Sequence, residues 1–225
     1  MRPTALRYCT RLFWELLRFG LPIPPVLAGL WWVRVASTAG PAAVCGAAVA
    51  AEAALCGLAL AVKWGLLGRI RPGQHPFWAC WCGRWDLLYV AWESWARPTM
   101  LHLEGTLLLS WYLRAMGARL GKRVVLGPGF AQVVDPDMLI IEDDATVSAQ
   151  FQAHTFEDRV LKMDYVHVRR GATVGTASVP MYGADIGAGA YVAPHSVVMK
   201  DEHLLPGVRY AGAPTDVFKA LQEQI

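Results

Sequence analysis

A repeat of six residues runs through the C-terminal part of this 225-residue chain and constrains its fold more than any other feature. An aliphatic residue, replaced once by proline, recurs at exact steps of six: Val168, Val174, Pro180, Ile186, Val192 and Val198. The residue four places after each of the first five is small: Ala172, Ser178, Ala184, Ala190 and Ser196. One face of a helix repeats near 3.6 residues and one face of a strand near 2, so a period of six fits neither element alone.

This period is explained if each hexad is a short strand followed by a corner and three hexads close one triangular coil. The aliphatic residue then fills the interior, and the small residue lies where a larger side chain would meet the next coil. Glycine is frequent three residues after the aliphatic position, as at Gly171, Gly183 and Gly189. Glycine adopts positive φ at little cost, which suits corners. Stacked coils share one core, so the sequence predicts a β-helix.

The repeat has two interruptions. Its phase is already present at Ile141 and Val147, but it fails after Ala153, so residues 154–166 are predicted to be an insertion that leaves the coil. A second interruption falls at residues 135–137. Beyond residue 200 the pattern stops, and residues 214–225 are predicted to close the end as a short helix.

Charge and composition separate an N-terminal region, residues 1–100, from the β-helix region, residues 101–213. The first hundred residues contain ten Lys or Arg and four Asp or Glu, whereas the remainder contains eleven and fourteen. Apolar residues make up 55% of the whole chain and charged residues 17%, compared with roughly 45–50% and about 25% in soluble domains. This composition excludes a disordered chain. The net negative C-terminal half, without a basic stripe, also argues against binding to nucleic acid.

The N-terminal region is predicted to form a transmembrane hairpin. Ala42–Val62 is an apolar run of 21 residues, long enough to cross a hydrocarbon core of roughly 30 Å as a helix. Leu21–Val33 is a second run, broken by three prolines. Lys and Arg are concentrated outside the pair of runs, which places both ends and the β-helix in the cytoplasm. The Trp-rich segment Pro76–Trp95 is expected to lie at the membrane interface. The alternative is a secretory signal, against which the prolines and the second run argue.

Two smaller features of this region bear on its chemistry. Glu52 is a carboxylate within the longer apolar run, where ionisable residues are rare and costly. It is either an ion or substrate ligand or a glutamate without a chemical task, and we expect the latter. Cys80 and Cys82 lack the spacing of a zinc or redox pair and are expected to be ordinary thiols.

The repeat resembles that of the hexapeptide-repeat acyltransferases, whose fold is a left-handed parallel β-helix. The resemblance covers residues 141–154 and 168–213, including the sequence Tyr210-Ala211-Gly212-Ala213-Pro214. A closer resemblance is carried by Arg71–Pro76, the Trp-rich segment and His154–Arg159, after paired apolar helices. These features are similar to the membrane-linked C-terminal units of poly-ε-lysine-synthetase-like nonribosomal peptide synthetases. Such units are held to join aminoacyl thioesters into amides.

The resemblance implies that His154 is the catalytic general base, for which the reference pKa of histidine, about 6.5, is suitable. An acceptor on its other ring nitrogen would fix the tautomer, and Glu157 or Asp135 are the main candidates, with Asp158 and Asp137 as alternatives. Arg159 and Lys162 are candidates for the phosphates of the donor. The alternative for each of these charged residues is solvated surface charge.

The donor is expected to be acyl-CoA or a thioester on the phosphopantetheine of a carrier protein, and no metal is expected. His154, His167 and His195 do not have the spacing of the zinc-binding γ-type carbonic anhydrases, which share this fold.

These features predict a membrane-tethered, multi-pass acyl or aminoacyl transferase acting on an amine or hydroxyl, with possible amide bond formation. The resemblance also implies a homotrimer or association with similar β-helix units. The alternative is a non-catalytic assembly module of a membrane complex, because a fold does not determine function. A histidine held beside a buried acidic residue would favour the enzyme.

Overall fold

The structure is a computed structural model that describes residues 5–133 and 135–217. Its contacts divide the chain into two units, Met1–Arg69 with His75–His102, and Ile70–Gln74 with Leu103–Ile225. The division lies close to the predicted boundary at residue 100, except that Ile70–Gln74 groups with the second unit.

The first unit is helical. In chain order it contains α1 (Ala5–Leu17), a 3₁₀ turn (Arg18–Gly20), α2 (Ile23–Ala36), α3 (Pro41–Leu66), α4 (Cys80–Ala91), a π-helical turn (Trp92–Ala96) and α5 (Arg97–His102). Pro24 and Pro25 lie in the first turn of α2, where a missing N–H removes no intrahelical hydrogen bond. The prolines therefore lie at the beginning of this helix and do not interrupt it.

Two segments of this unit are long and apolar enough to cross a membrane, judged by length and composition. They are Ala5–Ala36, with 32 residues, and Pro41–Leu66, with 26. Of the 18 consecutive residues that are most apolar in each segment, only 6% and 17% are buried inside the protein. Most of their apolar side chains therefore have no protein cover within the unit.

Three of the tryptophans that follow these helices are buried within the unit. Trp85, Trp92 and Trp95 are at most 4% exposed, and the indole nitrogen of Trp95 donates to the carbonyl of Leu21 at 2.7 Å. Packing within the unit covers these three side chains, and placement of the segment Pro76–Trp95 at the membrane interface stays a prediction.

The second unit contains α6 (Leu107–Met116) followed by a parallel β-helix of about five turns. The strands of the protein, in chain order, are β1 (Gly73–Pro76), β2 (Arg119–Leu120), β3 (Val125–Leu126), β4 (Leu139–Ile141), β5 (Thr146–Ala149), β6 (His154–Glu157), β7 (Val160–Met163), β8 (Val166–Val168), β9 (Thr173–Pro180), β10 (Asp185–Ile186), β11 (Tyr191–Val192), β12 (Val197–Val198), β13 (His203–Leu204), β14 (Arg209–Ala211) and β15 (Asp216–Val217).

The strands stack into flat faces. One face has the order β2-β4-β8-β10-β13, and a second has the order β3-β5-β9-β11-β14, all parallel. The end of β9 pairs with β12 on a third face. These pairings confirm the predicted β-helix of hexapeptide repeats.

The register shows how the six-residue period produces the coil. His167, Asp185 and His203 lie directly above one another at intervals of 18 residues, which is three hexads per turn. Ile140, one turn earlier, precedes His167 by 27 residues. The nine additional residues belong to the predicted insertion.

The repeat positions have the roles that the sequence assigned to them. The aliphatic residues and the small residues of the repeat are buried inside the coil. The five residues that come three places after an aliphatic residue of the repeat all have positive φ: Gly171, Ala177, Gly183, Gly189 and His195. At Ala177 and His195 a non-glycine residue adopts this conformation, at a cost of about 1–2 kcal/mol.

The end of the described chain departs from the predicted helix at residues 214–225. Pro214 and Thr215 form a turn, and β15 pairs antiparallel with β14. The open edge of the last coil accepts a returning strand here, because its backbone groups have no further coil to pair with. Residues 218–225 lie outside the described residues.

Candidate active site

The predicted insertion is a β-hairpin that carries His154 at its start. Strand β6 pairs antiparallel with β7, and His154 lies opposite Met163. Asp158 and Arg159 form the connecting turn with φ of 51° and 62°. Two consecutive positive φ values are typical of a type I′ turn, whose twist matches a two-residue hairpin. The hairpin therefore gives the histidine a defined backbone rather than a loose loop.

Asp135 lies directly at the ring of His154. The Oδ2 atom of Asp135 is 2.6 Å from Nδ1 of His154. Asp135 is only 3% exposed, and the histidine side chain 23%. Asp135 precedes the 3₁₀ turn Pro136–Met138 and belongs to the interruption of the repeat at residues 135–137. This interruption therefore brings the Asp135 carboxylate beside the hairpin that carries His154.

This contact determines the chemistry of the ring. A carboxylate accepts a hydrogen bond, so Nδ1 carries the proton and the lone pair of the neutral ring is on Nε2. Burial is the largest influence on the pKa of His154 and lowers it, but the hydrogen bond and negative charge of Asp135 together outweigh burial. The pKa therefore lies above the ordinary value of 6.5, and the pair can accept and stabilise a proton.

Glu157 occupies a different position from Asp135. Its carboxylate accepts a hydrogen bond from Nζ of Lys162 at 2.9 Å and forms an ion pair with Lys200. The structure thus places Glu157 in a lysine-bound cluster rather than at the ring of His154. Lys162 is half-buried in this cluster, whereas Arg159 is exposed in the hairpin turn.

The two alternative partners for His154, Asp158 and Asp137, lie in different parts of the second unit. Asp158 is exposed in the hairpin turn. Asp137 is 1% exposed and packs against the end of α6, because a Cβ on Gly117 would lie 2.2 Å from its Oδ1.

The remaining histidines of the repeat do not join the site. His167 contacts Glu142, with Nε2 2.9 Å from the carboxylate, and His195 occupies a corner with φ of 58°. Within residues 5–133 and 135–217, no three His, Cys, Asp or Glu side chains form a group that could hold a metal ion.

A polar cavity of about 430 Å³ lies beside the hairpin, within the second unit. Its wall includes Gln74 and Lys162, together with Asp164, Tyr182 and Asp201. Strand β1, whose first residues Gly73 and Gln74 belong to this unit, lies next to β7 in the order β1-β7-β6. The sequence marks the segment Arg71–Pro76 by resemblance but does not locate this cavity, because its wall joins residues about 130 positions apart.

The strand pairing and the six-residue repeat define a hexapeptide-repeat β-helix protein. Comparison with known proteins finds a relative that is similar in sequence. The chain is 33% identical over 155 residues to the delta-poly-L-ornithine synthetase of Acinetobacter baumannii (strain AB307-0294). The match includes 68% of this chain but only 12% of the synthetase, so the chain spans about an eighth of that protein's length. It confirms the resemblance to such a synthetase. No protein-family model matches the chain.

Several solved structures have a similar fold. They include a hexapeptide-repeat acetyltransferase from Vibrio cholerae, with 18% identity, a TM-score of 0.45 and coverage of 60% of this chain and 93% of that chain. A galactoside acetyltransferase in complex with coenzyme A has 15% identity and a TM-score of 0.42, covering 56% and 79%. A soybean serine acetyltransferase in complex with serine has 20% identity and a TM-score of 0.34, covering 61% and 55%.

Proposed function

We propose that the protein transfers an acyl or aminoacyl group from a thioester to an amine or hydroxyl, with His154 as general base and Asp135 as the group that orients it. The observation that carries the proposal is the contact of 2.6 Å between the His154 ring and a carboxylate that is only 3% exposed. An assembly module has no need to bury a charged side chain at this cost, so the pair favours the enzyme over the scaffold.

The reaction follows from the tautomer. The acceptor nitrogen or oxygen attacks the carbonyl carbon of the thioester, and Nε2 of His154 removes its proton as the new bond forms. The imidazolium is stabilised by Asp135. The carbon–sulfur bond of the tetrahedral intermediate then breaks, and the departing thiolate takes the proton from His154. The products are the amide or ester and a free thiol.

The donor is acyl-CoA or the phosphopantetheine thioester of a carrier protein. Of the two predicted phosphate ligands, Arg159 is exposed in the hairpin turn and able to reach a phosphate. Lys162 shares Glu157 with Lys200, and this cluster of two cations and one anion keeps a net positive charge. Both residues lie on the hairpin that carries His154.

The protein is tethered to a membrane through the two apolar helices, with the β-helix in the cytoplasm. The support is the length of these helices and the lack of protein cover on their apolar side chains. The β-helix assembles as a homotrimer or with similar units, as its resemblance implies. By similarity to the delta-poly-L-ornithine synthetase, the bond it forms is an amide.

The test is thioester consumption by purified full-length protein with an amine acceptor. We expect His154→Ala to reduce turnover by about 10²–10⁴-fold, the usual contribution of a general base. His203→Ala is the matched control, since this histidine is 74% exposed on the same β-helix. Unchanged turnover in His154→Ala, with the circular dichroism of the native protein retained, would contradict the mechanism.

A further inference from the structure

The helical unit contains its own cavity, of about 370 Å³. Residues of α2, α3, the π-helical turn and α5 line it. Pockets of about 300–1,000 Å³ are the usual size for binding small molecules. The cavity lies apart from the His154 pair in sequence and belongs to the other unit.

Small side chains on the two apolar helices create this space. Ala28 and Gly29 of α2 and Ala48 and Ala51 of α3 are all part of the wall. A Cβ built on Gly29 would have no atom within 4 Å. Between the helices and the π-helical turn there is thus room that larger residues would fill. Single π-helical turns are frequently found at functional sites.

The polar groups of the cavity wall determine which charge a bound ligand can carry. Glu52 is part of the wall and is also exposed, so it stands at the opening. Thr99 donates a hydrogen bond to its Oε2. Ser94 adds a hydroxyl, and Glu52 is the one ionisable residue among those that line the cavity. Such a wall repels anions and attracts a cation.

The two tryptophans of the wall contribute ring surface rather than hydrogen-bond donors. The indole nitrogen of Trp32 donates to the carbonyl of Val44 at 3.1 Å, and that of Trp95 donates to the carbonyl of Leu21 at 2.7 Å. With these N–H groups engaged by the backbone, the rings offer apolar contact and a π system, both of which suit an alkylammonium group.

We propose that this cavity is a binding site for a molecule with a protonated amine on an aliphatic body. The ammonium pairs with Glu52, and the aliphatic part contacts the alanines and tryptophans of the wall. An ionised carboxylate on an apolar helix is costly without a partner, and the bound cation offsets that cost. The site stands independently of acyl transfer by His154, and its failure would leave that mechanism unaffected.

The test uses full-length protein in a neutral detergent, with n-hexylamine as the probe and n-hexanol and hexanoate as neutral and anionic controls. A ligand that binds only the folded state raises its unfolding temperature. Nine of the ten tryptophans lie at or before Trp95, and the tenth, Trp111, is in α6 of the second unit, so indole fluorescence mainly reports the unfolding of the helical unit. We expect hexylammonium, but neither control, to raise the midpoint in wild-type protein.

Two variants locate the binding. Glu52→Gln should weaken hexylammonium binding by at least about tenfold, as for a lost charged hydrogen bond. Glu15→Gln removes an equal charge from α1, outside the cavity, and should bind as the wild type does. Gly29→Leu should abolish binding by filling the space, since a Cβ at this position meets no atom within 4 Å. The proposal is overturned if the wild type binds no hexylammonium, if hexanol binds as well, if both glutamine variants weaken binding equally, or if Gly29→Leu leaves binding intact.

Discussion

The ring of His154 is controlled by one carboxylate, and that carboxylate comes from a separate interruption of the coil. Asp135 and His154 are 19 residues apart, close to one turn of the β-helix, so stacking brings them together. Glu157 is nearer in sequence but points its carboxylate at two lysines. Proximity along a strand does not imply contact, because successive side chains of a strand point to opposite faces.

This difference between the two acids gives a prediction for pH dependence. Only the neutral ring accepts a proton, so wild-type turnover should fall as the pH drops through a value above 6.5, where Asp135 holds the pKa of His154. Asp135→Asn removes the charge but keeps the burial, so the acid limb should move to lower pH. Loss of ring orientation should also reduce maximal turnover by roughly tenfold or more.

The pH profile of turnover measures both effects, and Glu157→Gln is the matched control. Since Glu157 binds Lys162 and Lys200, this variant should keep the acid limb of the wild type. An acid limb that moves in Glu157→Gln but stays in place in Asp135→Asn would reverse the assignment of the orienting acid.

At the scale of the coil, glycines serve two purposes that the sequence pattern does not separate. Gly189 has φ of +65° and open space around it, so its role is conformational. Gly187 lacks positive φ, but a Cβ there would lie 2.5 Å from the carbonyl oxygen of Leu204 in the next turn. Its role is to permit close approach of backbone to backbone.

Substitution of these two glycines should have unequal costs. Gly189→Ala adds only strain of about 1–2 kcal/mol, as already tolerated at Ala177. Gly187→Ala forces two coils apart, and we expect it to cost more, toward the upper end of the roughly 1–3 kcal/mol seen for overpacking. Urea unfolding followed by the circular dichroism of the β-helix compares them. Equal costs would show that close approach at Gly187 is unimportant.

At the scale of the whole molecule, the apolar helices and the β-helix represent two different solutions to burying apolar surface. The β-helix places its aliphatic residues inside a continuous core. The helices Ala5–Ala36 and Pro41–Leu66 leave most of theirs uncovered by protein, which in water is unfavourable by about 25 cal/mol per Å². A lipid environment removes this cost.

The proposed topology can be tested by thiol labelling with a membrane-impermeant maleimide in intact cells. Ser37, in the exposed turn between α2 and α3, is proposed to lie outside the cytoplasm. Ser37→Cys should therefore gain labelling relative to the wild type. Asp158→Cys, in the exposed hairpin turn, should gain labelling only after permeabilisation. Labelling of Asp158→Cys above the wild-type level in intact cells would contradict the cytoplasmic placement of the β-helix.

The sequence by itself determined the β-helix, its three hexads per turn, the place of the insertion and the apolar helices. Each of these depends on local periodicity, such as the recurrence from Val168 to Val198, and periodicity can be recognised from the order of the residues alone. Only the tertiary structure decided which acid meets His154, that three tryptophans of the interfacial segment are buried, that the chain after Pro214 turns back as a strand, and that Glu52 borders a cavity. These features depend on how far apart insertions and helix faces lie in space, and a one-dimensional pattern does not contain those distances.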